Sequence, residues 1–403
     1  MSDASLSAPT PGRPAEVLRV FLRLGLTSFG GPIAHIGFFR EEFVARRRWL
    51  SEAQFAELVA LAQVAPGPAS SQVGLALGLL RAGPAGAAAA WVGFTLPSAL
   101  LMVAFAAGLA SAGGLGAAGW LIGLKAAAVA VVAQALWGMA RSLAPDAPRQ
   151  TLMAAAAAVA LLVGGAPGQL GAIALGAVVG LALPRGPAEA AGAQVPVPVS
   201  RRAGAVCLAL FALLLIGLPL VAALSPLLGY ADGFYRAGAL VFGGGHVLLP
   251  LLEAEAVGRG WVDREVFVAG YGAAQALPGP LFAFAAHLGQ AAGGAGAAAV
   301  ALVAVFLPGA LLIVGALPFW QALRGRPALR AALAGINAAV AGLLLAALYD
   351  PVFLTGAATA FGFALALGCL TALAVWRVSP VWVVAGAAAA AEAVARLAPG
   401  LLT

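Results

Sequence analysis

Apolar residues run along this chain in long stretches separated by short polar loops. A stretch of about 20 apolar residues matches the hydrocarbon thickness of a bilayer. Crossings are therefore predicted over 84–110, 120–140, 151–166 and 168–183, with an additional one over 203–228. Others fall near 295–320, 331–348, 351–375 and 381–397. The stretches 52–65 and 68–81, and the matching 264–292, are interrupted at Pro-Gly-Pro and read as re-entrant hairpins. Segments 17–38 and 231–252 read as partial insertions that return to the side they came from. The expected fold class is an all-α polytopic membrane protein.

The pattern occurs twice. Phe21-Leu22-Arg23-Leu24-Gly25 leads to Phe29-Gly30-Gly31, and 213 residues later Phe234-Tyr235-Arg236-Ala237-Gly238 leads to Phe242-Gly243-Gly244. With one residue deleted, the register continues through Trp49/Trp261, Phe55/Phe267 and Gln63/Gln275. Pro66-Gly67-Pro68 then faces Pro278-Gly279-Pro280, Pro97 faces Pro308, and Gly123-Leu124-Lys125 faces Gly335-Ile336-Asn337. An ordered series of this length marks an internal repeat. The organisation expected is a disordered tail over 1–15, a first repeat over 16–183, a cytoplasmic linker over 184–202 and a second repeat over 203–398.

Arginine placement predicts that the repeats are inverted. The loop Ser111–Gly119 is uncharged, whereas its counterpart holds Arg324, Arg326 and Arg330. Arg46-Arg47-Arg48 faces a loop in which Arg259 and Arg264 are offset by Glu253, Glu255, Asp263 and Glu265. Basic loops stay cytoplasmic, so equivalent loops fall on opposite sides of the membrane.

Composition agrees and excludes other classes. The chain is 63% hydrophobic and 9% charged, with a mean hydropathy of +1.00, against about 25% charged residues in a soluble domain. The net charge of +7 sits in short loops as a topology signal, not as a nucleic-acid surface. Cys207 and Cys369 lie in apolar stretches with no metal-ligand spacing. The polar N-terminus lacks the apolar core of a cleavable signal peptide. Asp146, Asp232, Asp263 and Asp350 stand apart, so the aspartate cluster of a metal-dependent membrane transferase is missing.

Several residues could carry chemistry. Proline at the end of each Pro-Gly-Pro suits the first position of a new helix. Gly67-Pro68 and Gly279-Pro280 would then place helix N-termini, with free amides, at depth in the membrane. Ser70 and Ser71 could add hydroxyl donors where the second repeat has Phe282 and Ala283. The alternative is that Pro66 and Pro278, like Phe-Gly-Gly, are simply structural breaks. Arg23 and Arg236 lie six residues before those breaks, and a guanidinium fork suits an oxyanion. Snorkelling, or pairing with Glu16 or Asp232, is the plainer role. Lys125 is alone in its apolar run and is matched by Asn337. Glu42 and Glu255 are matched, and Glu57 faces Ala269; these are the proton-coupling candidates. His35, His246 and His287 are unmatched and read as hydrogen-bonded packing residues.

On these motifs the chain resembles the chromate ion transporter family in its long two-domain form. The likeness covers about residues 16–396 and rests on Phe29-Gly30-Gly31, Trp49-Leu50, Pro66-Gly67-Pro68 and Gly83–Gly86 leading to Pro97, with their second-repeat counterparts. The resemblance implies a secondary transporter, not an enzyme, that needs no cofactor. It implies export of chromate across the plasma membrane by the proton motive force, while the arginine-based tracing places the N-terminus in the cytoplasm. Sulfate, a tetrahedral dianion of similar shape, is the nearest alternative substrate, and a channel is the nearest alternative mode. The partners expected are a small oxyanion and the bilayer, with no nucleic acid; a homodimer is compatible with this reading.

Overall fold

The computed structural model describes residues 12–28, 31–111, 119–182, 198–241, 247–320 and 326–401. Phe29, Gly30, Phe242, Gly243, Gly244, His246 and Arg324 lie outside the described residues, as do the tail to residue 11, loop 112–118 and the linker over 183–197. The described chain is built of helices, with no strand among the described residues.

The first repeat contains α1 (Pro14–Thr27), α2 (Gly31–Arg40) with a π-helical continuation (Glu41–Arg46), α3 (Glu52–Val64), α4 (Ala69–Ser111), α5 (Gly119–Leu143), α6 (Ala147–Val163) and α7 (Gly165–Ala182). The additional crossing is α8 (Arg201–Val221). The second repeat contains α9 (Pro226–Ala239), α10 (Leu248–Ala256), α11 (Arg264–Gln275), a 3₁₀ turn (Leu281–Ala283) running into α12 (Phe284–Ala316), α13 (Pro327–Ala347), α14 (Ala360–Ala374) and α15 (Pro380–Leu397). Among the described residues, six stretches are long and apolar enough to cross a membrane. The α8 stretch is one of them, and none of its most apolar window is buried, as suits a helix facing lipid.

Local chemistry sets many of the helix starts. Ser51 and Gln54 form a reciprocal capping box at α3. The side chains of Asp146, Ser200, Ser225 and Thr359 accept amide hydrogens at the starts of α6, α8, α9 and α14.

One backbone break occurs in both repeats. Ala82 (φ −144°, ψ 27°) and Gly83 (φ 64°, ψ −160°) interrupt α4, and Gly293 (φ −161°, ψ 22°) and Gly294 (φ 74°, ψ −165°) interrupt α12. The second residue of each pair is left-handed, a conformation that glycine adopts without penalty. Each break separates a short arm, 69–81 or 284–292, from a long crossing. With 13 residues, α3 is about 20 Å long, too short for a core of about 30 Å. A hairpin of α3 and the 69–81 arm is therefore too short to span the core.

Three expected crossings, 151–166, 168–183 and 351–375, fall on shorter apolar helices outside the six membrane-length stretches, and the last is also altered. Over 351–375 the chain is first π-helical (Leu348–Phe353), with Asp350 extended at φ −129° and ψ 116°, and α14 begins only at Ala360. Pro351 is the physical reason, because a proline ring pushes the preceding residue out of the helical region.

The repeats interlock. Helix α5 packs against α14 and α15 of the second repeat, and α13 packs reciprocally against α6 and α7 of the first. A Cβ added at Gly123 on α5 would stand 2.2 Å from the Ala387 carbonyl oxygen of α15. One added at its counterpart, Gly335 on α13, would stand 2.0 Å from the Gly176 carbonyl oxygen of α7. Small residues permit this backbone approach, which is how helices associate where no hydrophobic drive exists between them. Gly123→Leu and Gly335→Leu should each lower stability by about 1–3 kcal/mol. Gly368→Ala, whose Cβ would meet nothing within 4 Å, should be neutral or stabilising. Thermal melts of the purified proteins in detergent would check this; unchanged melting of both leucine variants would contradict the packing.

Candidate functional site

The two Pro-Gly-Pro tips cross into opposite repeats. The Gly67 amide donates to the Val241 carbonyl at 2.7 Å, and the Gly279 amide donates to the Ser28 carbonyl at 2.9 Å. Val241 and Ser28 are matched residues, each directly preceding its Phe-Gly-Gly. Gly67 (φ 130°) and Gly279 (φ 93°) have backbone angles that disfavour any side chain. A Cβ at Gly67 would lie 2.8 Å from Gly309 Cα, and one at Gly279 would lie 2.9 Å from Ser98 Oγ. Gly309 and Ser98 each follow a matched proline, Pro308 and Pro97. Four sequence features thus meet along one seam between the repeats.

The second proline of each triplet sits one place earlier than the sequence suggests. The Pro68 carbonyl accepts the Gln72 amide at 2.9 Å, and the Pro280 carbonyl accepts the Ala283 amide at 2.9 Å. Each is therefore the cap before the first turn. The extended ψ of 133° at Pro280 delays that turn by a residue. The amides of Ala69, Ser70 and Ser71 consequently have no acceptor within their own helix, and they form the positive end of its dipole.

The buried polar residues at the seam come almost wholly from the first repeat. Ser28, His35, Ser70, Ser71, Gln72, Thr95 and Ser98 are all buried. His35 Nε2 lies 3.2 Å from the Ser28 carbonyl oxygen, and its Nδ1 lies 3.3 Å from Ser70 Oγ. Gln72 Nε2 donates to the carbonyls of Pro66 (2.9 Å) and Gly309 (3.2 Å), tying the first tip to α12. Among the described residues, the hydroxyls of Ser28, Ser71 and Thr95 and the Gln72 carbonyl oxygen have no hydrogen-bond partner. Such groups are costly unless something binds them. The second repeat answers with Val241 for Ser28, Phe306 for Thr95, Gly309 for Ser98, and Leu281-Phe282-Ala283-Phe284 after its tip.

The sequence singles out Ser70 and Ser71 but not Ser28, Gln72, Thr95 and Ser98, and reads His35 as a packing residue. One signal was available: each is a polar residue in an apolar run whose counterpart is apolar.

Other candidates lie apart from the seam. Arg23 is exposed on the face of α1 that carries Leu22 and Leu26, away from the buried face of Val17, Phe21 and Leu24. Arg236 is held by Asp232 and by Glu255 at 3.3 Å. Arg259 joins the same cluster, 3.0 Å from Asp232 and 2.9 Å from Glu255, and lies over the Trp261 ring. The first repeat has a related group: Glu42 binds Arg46 at 3.0 Å and Arg47 at 2.6 Å, while Arg81 pairs with Glu16 and lies over Trp49. Burial works against the Glu42 charge, but Arg47 and Arg46 outweigh it and hold that carboxyl below its ordinary range. Burial prevails at Glu255 and pushes its carboxyl up despite Arg236 and Arg259. Glu57 accepts from Trp320 Nε1 at 2.8 Å. Lys125 lies 3.6 Å from Glu265, at the end of α11 remote from the tip. Asn337 is half-buried on α13, and its Oδ1 has no hydrogen-bond partner among the described residues. Gly31 opens α2 at φ 76°.

Membrane-length helices, two interlocked repeats and paired broken helices at their junction define a multi-pass membrane protein with the architecture of a secondary transporter. A family model described as Chromate transporter matches residues 15–181 and again 228–391. The chain therefore belongs to the chromate transporter family, a family of membrane transporters and not of enzymes. It is 31% identical over 355 residues to the chromate transport protein of Pseudomonas aeruginosa, covering 87% of this chain and 84% of that one. It is 30% identical to the probable chromate transport protein of Synechococcus elongatus, covering 85% and 87%. The chromate transport protein of Cupriavidus metallidurans is 28% identical, covering 82% and 81%. No solved structure matches the chain.

Proposed function

We propose that this protein exports chromate from the cytoplasm across the plasma membrane, binding the dianion at the seam where the two Pro-Gly-Pro tips cross between inverted repeats. The observation that carries the reading is the reciprocal pair of bonds, Gly67 to Val241 and Gly279 to Ser28. It puts a helix N-terminus and a set of buried hydroxyls at the contact that must rearrange when one repeat rocks against the other. Helix N-termini and hydroxyls suit a tetrahedral dianion. Ser70, Ser71, Gly67 and Pro68 form the binding side, and Gly279 and Pro280 close it from the second repeat.

The inverted arrangement is supported by the arginine asymmetry and by α8, which adds one crossing between the repeats. The N-terminus is then cytoplasmic. An inside-negative potential of 100 mV contributes about 2.3 kcal/mol per charge moved, hence about twice that for outward passage of a dianion. The electrical part of the proton motive force thus favours export. Sulfate satisfies the same donors and is the alternative cargo.

Uptake of labelled chromate into inverted membrane vesicles tests this, with and without a proton gradient and with sulfate as competitor. Saturable uptake is expected, competed by sulfate. In a Ser70→Ala, Ser71→Ala double variant, half-saturation should rise about tenfold or more, because hydrogen bonds to a charged group are lost. Uptake no greater than in empty vesicles would overturn the assignment.

A further inference from the structure

We propose that His35 is a proton-linked switch of the anion site, in which a proton on Nδ1 redirects the Ser70 hydroxyl from the ring to the bound anion. This rests on the oxyanion-transport reading above and goes further by naming the group that couples protons to binding.

The tautomer follows from the partners. A carbonyl oxygen can only accept, so the hydrogen between His35 and Ser28 sits on Nε2, which donates to the Ser28 carbonyl across 3.2 Å. In the neutral ring Nδ1 has only a lone pair, so the contact at 3.3 Å is a hydrogen bond that Ser70 donates. The one hydroxyl proton of Ser70 is then engaged by the ring. The hydroxyls of Ser28 and Ser71 are also buried, without a partner among the described residues. Two donors stand ready and the third is held back.

Protonation reverses that bond. One proton from solution adds to the Nδ1 lone pair, and the new Nδ1–H donates to Ser70 Oγ. The Ser70 proton is released from the ring and can point at the anion. No covalent bond other than N–H forms, and the proton leaves by the reverse step when the anion departs, so a net charge of −1 moves outward with each anion and the electrical drive is half that of the bare dianion. His35 is only 1% exposed and packs edge-on against Phe94. An imidazolium there is unfavourable without a nearby negative charge. Proton and anion therefore each require the other.

No other charged group can substitute for the anion. The helices packed on α2 are α3 and α4, together with its own π-helical continuation. Their charged residues are committed elsewhere: Glu42 to Arg46 and Arg47, Glu52 to Arg40, Glu57 to Trp320, and Arg81 to Glu16. Glu41 is exposed. Across the seam the second repeat presents Pro278-Gly279-Pro280, which carry no charge. The Ser28 carbonyl accepts from both His35 and the Gly279 amide. Charge on the ring therefore acts on the same oxygen that ties the second tip to the first repeat. Leu248 stands at the matched position, so the switch belongs to one repeat alone.

The test is chromate binding to the purified full-length protein by titration calorimetry, in buffers of differing ionisation enthalpy, between about pH 6 and 8. Comparing variants cancels protonation of chromate itself. Wild type should take up about one more proton per chromate than His35→Gln. Ser70→Ala should bind about tenfold more weakly at the acidic end and differ little at the alkaline end. Equal proton uptake by wild type and His35→Gln, with both binding chromate, would overturn the switch, as would a Ser70→Ala variant that matches wild type throughout. If His35→Gln does not fold, the Ser70→Ala comparison decides alone. Failure of the wild-type protein to bind chromate would instead overturn the transport reading.

Discussion

Arg236→Gln should destabilise the folded protein by about 3 kcal/mol, whereas Arg23→Gln should cost less than about 0.5 kcal/mol. The two arginines are matched in sequence but live in different surroundings. Arg236 is paired with Asp232 and Glu255, whose side chains are only 4% and 6% exposed. Removing one cation from a buried cluster strands carboxylates that water cannot reach. Breaking such a pair typically costs about 3–5 kcal/mol. The low end applies because Arg259 stays within 3.0 Å of both carboxylates. Arg23 has an exposed side chain on the outer face of α1 and no ion-pair partner among the described residues. Melting temperatures and inserted yields of the two variants would decide. A normally stable Arg23→Gln protein that fails to transport would make Arg23 a substrate contact, against its outward placement.

Gly67→Ala should reduce transport at least tenfold while the protein still inserts, with Gly279→Ala behind it. Two costs combine at Gly67. Its φ of 130° is closed to residues with a Cβ, at about 1–3 kcal/mol. The new methyl would also press on Gly309 Cα at 2.8 Å. That atom is backbone and cannot rotate aside, so the tip must withdraw from α12, with the Gly67–Val241 bond at risk. At Gly279 the nearest atom is the Ser98 hydroxyl at 2.9 Å, which can turn away, so the smaller loss is expected there. Vesicle uptake normalised to inserted protein measures both. Wild-type uptake by Gly67→Ala would show that the crossing of the tips is not needed for transport.

Much of this architecture was legible in one dimension because its causes are local. Glycine at 83 and 294 opens the left-handed region at the arm-to-crossing breaks, and apolar length marks the spans. Proline and glycine in the triplets reverse the chain. The repeat was readable because matched residues recur in order over about 100 residues, from Phe21–Lys125 to Phe234–Asn337. Pro351 is visible too, but the apolar run reads 351–375 as one crossing, and hydropathy alone does not reveal the break at Pro351. The site was read less completely. Ser70 and Ser71 stood out as polar neighbours of a motif, whereas Ser28, Thr95 and Ser98 looked like ordinary small residues in apolar helices. Arg23 and Arg236 drew attention as intramembrane charges, yet their matched positions hid opposite surroundings.

The sequence by itself determined the solvent, the number of repeats and the places where helices break. Those depend on side-chain polarity and backbone freedom, which each residue carries with it. The tertiary structure alone decided how the repeats join. The exchange of α5 and α13 between repeats depends on close approach of Gly123 to Ala387 and of Gly335 to Gly176. Pairing of Gly67 with Val241 and of Gly279 with Ser28 joins residues far apart in the chain. Contacts between distant residues follow from shape complementarity in three dimensions, and no local propensity encodes them. The same holds for His35, which is one histidine among three until Ser28 and Ser70 are brought to its two nitrogens.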